Sequence, residues 1–265
     1  MKIKPITSIS LSKLNNNFAT GIMFLGLFIF QISCKEQDPP PSVETDKIVK
    51  TTLLIPEPSD LVFSTNKQNL YTVSDNTGMI YNISFEGKAL SELPFKGSDL
   101  EGITIDPNTG EFYVCEERTR YIIHLNSEGK ALDTIKNIQI PEADPNGGLE
   151  GISKNGDTLY IINEKSPGLL IKYHIPSKTW KSINLTFAFD YSAIMYDISD
   201  NTLWILSHES KKLFHCTNSG KPFSFQEFDI LQAEGVAVDR NTNTIWIVSD
   251  NDNQLYKISL SQTNY

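Results

Sequence analysis

The sequence predicts an all-β fold, a five-bladed β-propeller built as one domain. Three observations carry this expectation. A Glu-Gly pair recurs, as Glu101-Gly102 in "DLEGITIDPNTGEFYV", Glu150-Gly151 in "GLEGISKNGDTLYI" and Glu234-Gly235 in "QAEGVAVDRNTNTIWIV". Aligned on that pair, two further segments fall into register without the glutamate: "PSDLVFSTNKQNLYTVSDN" at Ser59-Asp60 and "YSAIMYDISDNTLWILSHES" at Ser192-Ala193. The steps between Ser59, Glu101, Glu150, Ser192 and Glu234 are 42, 49, 42 and 42 residues, a spacing at which propeller blades repeat.

The chain is expected to begin with a leader. Lys2, Lys4 and Lys13 precede the apolar run "GIMFLGLFIFQIS", which ends at Cys34. About 13 apolar residues fall short of the ~20 that span a bilayer, so residues 1–33 read as a secretory signal. A cysteine directly after Ile32-Ser33 resembles a bacterial lipobox, in which that cysteine becomes the lipidated N-terminus. Residues 34–47, with "KEQDPPPSVETD", read as a polar tether. The expectation is a protein of the cell envelope, lipid-anchored to the outer membrane and open to surface exposure.

Residues 48–265 form the propeller. Each unit opens with a short strand, such as "VFST", "ITID" or "VAVD". A turn of Asn, Asp, Gly or Ser follows, then a second strand ("LYTVS", "FYVCE", "LYIIN", "LWILS", "IWIVS") and a third ("IYNIS", "YIIHLN", "LIKYHI", "LFHCT", "LYKIS"). A weaker fourth strand closes the unit, as in "SELPF" and "SFQEFDI". Four short strands with turn chemistry between them make one blade. The long step holds "IPEADPNGG", a loop insert. No helical periodicity follows the leader. The 31 residues after Glu234 and the 11 from Ile48 to Ser59 together make one 42-residue repeat. The N-terminal strand is therefore expected to complete the last blade and remove an open edge. Tyr71, Tyr113, Tyr160, Trp204 and Trp246 share one second-strand position and read as core between blades.

Charge narrows the partners. Without the three leader lysines the chain carries 20 basic and 32 acidic residues, a formal −12. This disfavours nucleic acid and anionic lipid and favours cations. Cys115 and Cys216 fall in blades 2 and 4, so both thiols are expected free. Cys115 is aligned with Ser74, Asn163, Ser207 and Ser249 and reads as a small buried residue.

The innermost strand of each blade lines the central channel, so Glu101, Glu150 and Glu234 point at one mouth, with Ser59 and Ser192 at the other two blade starts. The turns after the second strands return to that end and bring Asp75, Glu116, Glu164, His208 and Asp250 to its rim. The glycine after each glutamate suits close backbone approach. Like charges a few ångströms apart raise one another's pKa unless a cation compensates. Ca²⁺, which takes 6–8 oxygen ligands, suits this ring. Zn²⁺ prefers His or Cys, which the inner ring lacks. The alternative is an acidic, water-filled channel with no specific ion.

Together the five blade starts resemble the SdiA-regulated family of bacterial propellers, over roughly residues 48–265. The resemblance implies a five-bladed propeller with a Ca²⁺ site on the channel and a distant relation to NHL-repeat proteins. It implies no established reaction. Asp60 departs from the small residue that the family usually has there, which suggests a more acidic rim at blade 1.

Of the four histidines, His124 and His215 share a third-strand position that reads as outward and solvated, and His174 follows at a strand end. Only His208 lies in a rim turn. No nucleophile elbow, phosphate loop or CxxC pair is present. Two functions remain: a monomeric, Ca²⁺-loaded binding module for a protein or small-molecule ligand, or a metal-dependent esterase or lactonase at the acidic mouth. The absence of a dedicated base favours the first.

Overall fold

Among the residues described by the structure, a computed structural model, namely 45–140 and 147–260, twenty strands make up the fold. No helix occurs among the described residues. The predicted leader, Cys34 and the predicted tether up to residue 44 lie outside them, as does most of the loop insert.

The strands are β1 (Thr45–Thr52), then β2 (Pro58–Phe63), β3 (Leu70–Ser74), β4 (Met79–Ile83) and β5 (Ala89–Lys96) in blade 1. Blade 2 holds β6 (Leu100–Ile105), β7 (Phe112–Glu116), β8 (Ile122–Leu125) and β9 (Ala131–Ile135). Blade 3 holds β10 (Leu149–Asn155), β11 (Thr158–Asn163), β12 (Leu169–His174) and β13 (Thr179–Asn184). Blade 4 holds β14 (Ala193–Asp197), β15 (Thr202–Ser207), β16 (Lys212–Thr217) and β17 (Pro222–Glu227). Blade 5 combines β18 (Ala233–Asp239), β19 (Thr244–Ser249) and β20 (Gln254–Leu260) with β1 as its outermost strand. All five sheets are four-stranded, and the pairing of β1 with β20 closes the ring. β1 starts at Thr45, three residues before the Ile48 that the repeat arithmetic gives.

Five apolar cores lie between neighbouring blades. The repeated second-strand aromatic supplies one to each: Tyr71 between blades 1 and 2, Tyr113 between 2 and 3, Tyr160 between 3 and 4, Trp204 between 4 and 5, and Trp246 between 5 and 1. Burying such a ring removes ~150–250 Å² of surface from water, so these positions hold the blades to one another. His124 and His215 stack on two of these rings, at 4.3 Å from Tyr113 and 3.9 Å from Trp204. His215 is buried, contrary to the solvated reading. Cys115 and Cys216 are buried free thiols.

Four of the five inner strands carry a β-bulge where the repeat places its first residue. The register shifts between Pro58 and Asp60, Leu100 and Gly102, Leu149 and Ile152, and Ala233 and Gly235. A bulge leaves a residue out of the ladder and re-aims its side chain. Ser59, Glu101, Glu150 and Glu234 are the residues released in this way. The next position lies against the neighbouring blade's inner strand. A Cβ on Gly102 would sit 2.3 Å from Glu150 O, one on Gly151 2.6 Å from Ile194 N, and one on Gly235 2.5 Å from Asp60 Cα. The Glu-Gly pair thus combines an aimed carboxylate with a residue small enough for blades to meet at the axis.

Candidate functional site

The five blade starts and the turns after the second strands meet at one mouth of the channel, in a pocket of about 260 Å³. Seven carboxylates line it: Asp75, Glu101, Glu117, Glu150, Glu164, Glu234 and Asp250, together with Ser59, His208 and Lys165. The three ring glutamates therefore do share one pocket, but their closest groupings are separate. Oxygens of Glu117, Glu150 and Glu164 lie within 4.8 Å of one another, and so do those of Asp75, Asp99 and Glu101. Glu234 turns instead to His208, with Oε1 3.5 Å from Nδ1.

Glu150 stands out in this ring. It is 9 % exposed, it faces the pocket, and among the described residues no donor or cation pairs with its carboxylate. Burial, and then the charges of Glu101 and Glu234, push its pKa well above the usual carboxylate range. Burial also raises Glu101, ahead of Asp75 and Glu234, while Ser59 eases it with a hydrogen bond. The Ser59 hydroxyl is within reach of both that carboxylate and Glu57 O, at 3.3 Å. Glu234 is pushed up to about 7 by burial, partly offset by His208. Burial, then Asp99, takes Glu117 to about 7 and Asp75 to about 6. Lys165 does not relieve the centre: its Nζ is held by Glu164 at 2.8 Å and Glu209 at 3.0 Å.

His208 has a partner that sequence reasoning missed. Its Nδ1 is 2.7 Å from Oδ2 of Asp190, a fully buried carboxylate that also accepts from Ser207 and from Glu209 N. Burial alone would raise Asp190, but His208 and Ser207 outweigh it and keep it ionised. The Asp190 contact, then Glu234, pulls His208 toward its charged form.

Three expected residues are placed elsewhere. Ser192 is buried and its hydroxyl donates to Ala233 O at 2.7 Å, so it braces blade 5 and does not line the pocket. Glu116 is replaced at the rim by Glu117. The register explains it: Leu100 pairs with Glu116 as Pro58 pairs with Ser74 and Ala233 with Ser249, so Glu116 is the last strand residue and Glu117 opens the turn. Cys115 accordingly matches Val73 and Val248, not the serines. Asp60 is not at the rim at all. It is 1 % exposed, its oxygens accept from Leu61 N at 2.7 Å and Ile103 N at 2.9 Å, and it stands in the channel beneath the acidic ring.

Asp99 and Asp190 occupy one repeat position, two residues before the aligned pair, where blade 1 has Glu57. That recurrence was available in the sequence and marks a second tier of acids at the mouth.

The model of the SdiA-regulated family matches residues 46–259. The chain belongs to the SdiA-regulated family. Among solved structures it is similar to a catalytically inactive variant of virginiamycin B lyase from Staphylococcus aureus with quinupristin, at 22 % identity and a TM-score of 0.48, over 77 % of this chain and 66 % of that one. It is also similar to the Cps50 (Swd1) β-propeller domain of Myceliophteria thermophila, at 8 % identity and a TM-score of 0.48, over 78 % and 65 % of the two chains. The chain thus spans just under two thirds of the length of those proteins.

Proposed function

We propose that this family member is a binding module whose acidic channel mouth holds Ca²⁺, with Glu150 as its central ligand and Glu117 and Glu164 beside it. One observation carries the reading: Glu150 is buried, unpaired and aimed into a pocket of like charge. A buried carboxylate without a partner is costly, and a hard cation is the compensation that the surrounding donors suit, since they are oxygens. A bound divalent ion would neutralise the mouth and fix the turns of blades 2 and 3 for a protein or small-molecule partner. Cys34, as the predicted lipid attachment point, would anchor the protein to the membrane. Thermal melts of the full-length protein test the reading. Ca²⁺ should raise the melting temperature, since a ligand that binds only the folded state stabilises it by RT ln(1 + [L]/Kd). Mg²⁺ should do less, because it demands a tighter octahedron. Identical curves in Ca²⁺, Mg²⁺ and chelator would leave an acidic, water-filled channel.

A second reading, the metal-dependent esterase or lactonase, is favoured by the Asp190–His208 contact. The same contact weakens it, because a histidine held between Asp190 and Glu234 is drawn to its protonated form and is then a poor base at neutral pH. Chelator-sensitive turnover of an ester or lactone, lost in His208→Ala, would establish the hydrolase instead.

A further inference from the structure

The opposite mouth of the channel has a different character. There the far ends of the five inner strands enclose about 430 Å³, a volume within the ~300–1,000 Å³ of small-molecule sites. Its floor is aliphatic, from Leu61, Ile103, Ile152 and Ile194. Its charged lining balances: Lys67, Lys154 and Arg240 against Asp106, Asp197 and Asp239. All of these but Lys67 are also engaged locally with partners of opposite charge or turn donors. Lys154 Nζ is 2.6 Å from Asp106 Oδ2, Arg240 pairs with Asp197 and Asp200, and Asp239 caps its own turn through Asn241 N and Thr242. A charged ligand would have to compete with these pairs, whereas an uncharged one would not.

A break in the repeat supplies the polar contact. In three blade interfaces, a side chain of one inner strand accepts the backbone N–H of the next. Thr104 Oγ1 takes Lys154 N at 3.1 Å, Ser153 Oγ takes Tyr196 N at 2.9 Å, and Met195 Sδ takes Val238 N at 3.1 Å. At the other two interfaces the equivalent residues are Ala237 and Val62, which cannot accept. The amides they leave uncapped are those of Phe63 and Ile105, and both residues line the pocket. Their direction follows from the ladder. Ser64 N donates to Asn69 O and Asp106 N to Glu111 O. In an antiparallel pair the preceding residue then points its N–H away from its partner strand, here toward the channel. Two adjacent donors over an apolar floor form the kind of convergent polar contact that orients a ligand.

We infer that this second mouth binds an uncharged small molecule with an apolar body and a carbonyl-type acceptor that takes the Phe63 and Ile105 amides. The site is distinct from the acidic mouth and independent of the calcium reading, since the buried Asp60 lies between them and lines neither. The test is a fluorescence titration of the full-length protein with prodan, an uncharged naphthyl ketone whose emission shifts to the blue on burial. Saturable, blue-shifted binding is expected, with the same affinity in Ca²⁺ and in chelator. Val62→Thr and Ala237→Ser each add the missing acceptor, as Thr104 and Ser153 already provide it elsewhere. Each should weaken prodan by roughly 2- to 10-fold, the range that one lost hydrogen bond of ~0.5–1.5 kcal/mol gives. Both changes are small enough to keep the fold, and a wild-type melt confirms it. Absence of saturable binding, displacement of prodan by Ca²⁺, or unchanged affinity in both folded variants would each overturn the assignment.

Discussion

Replacing Gly235 by Ala should destabilise the ring at the interface of blades 5 and 1. The added Cβ would stand 2.5 Å from Asp60 Cα, 2.6 Å from Asp60 C and 2.7 Å from Leu61 N. All three are backbone atoms, where carbon contacts normally settle at ~3.5–4.0 Å. No rotamer change relieves this overlap, so the two inner strands must part by roughly 1 Å. That movement also displaces Asp60, whose carboxylate accepts from Ile103 N of the next blade. Overpacking of this kind costs ~1–3 kcal/mol, while the smaller entropy of the unfolded Ala chain returns only ~0.4–1. For a domain of this size each kcal/mol moves the melting temperature by ~2–4 °C, so a net cost of about 1.3 kcal/mol at mid-range gives a fall of roughly 3–5 °C, and up to roughly 10 °C at the upper end. The assay is a thermal melt of full-length protein in chelator, which keeps metal binding out of the comparison. Blade 4 carries Ala193 at the same repeat position, so alanine is not excluded there by strand chemistry as such. A Gly235→Ala protein that melts at or above the wild-type temperature would refute the close-approach explanation of the Glu-Gly pair.

Deleting residues 45–56 should strip β1 from β20 and remove the buried Leu53 and Ile55, lowering stability by several kcal/mol at ~0.5–1.5 per ladder bond; an unchanged urea midpoint would contradict closure of the ring by the N-terminal strand. His215 should add a pH dependence of its own. Burial holds its pKa down to about 4, so between ~6.5 and 4 the unfolded chain binds a proton that the fold does not. Its contribution is thus present above pH ~6.5 and lost as pH falls toward 4, and His215→Phe, which keeps a ring against Trp204, should flatten that stretch of the stability curve. Changing Cys34 to Ala should release the protein from the membrane fraction and abolish labelling by fatty acid, and continued labelling would rule out the lipobox.

The blade count, the closing strand and the aromatic cores were legible because each rests on spacing and alternation, which the backbone of a propeller imposes on every repeat. The glutamates could be placed at one mouth for the same reason. What the sequence hid depended on single hydrogen bonds and on registers one residue apart. Glu116 and Glu117 are neighbours in an acidic pair, and only the pairing of Leu100 with Glu116 decides which one opens the turn. Ser192 resembles Ser59 by position, yet its blade lacks the bulge and its hydroxyl is taken by Ala233 O. Asp60 looked like a rim acid, but the small residues at the same level of the other blades leave it room to turn inward onto backbone amides. The grouping of ring glutamates with turn acids, and the Asp190 support of His208, arise where loops of different blades meet, and no local pattern encodes that distance.

The central claim is that the acidic mouth is a cation site organised around Glu150, and calorimetric titration of Ca²⁺ into metal-stripped, full-length protein tests it most directly. The account predicts saturable binding of one ion, weakened at least about tenfold in Glu150→Gln, since loss of one charged ligand at ~1.4 kcal/mol or more corresponds to that factor. The variant itself should fold as well as the wild type in chelator, because it removes a buried charge that has no partner. Absence of saturable Ca²⁺ binding, or a Glu150→Gln protein that binds with wild-type affinity, would contradict it.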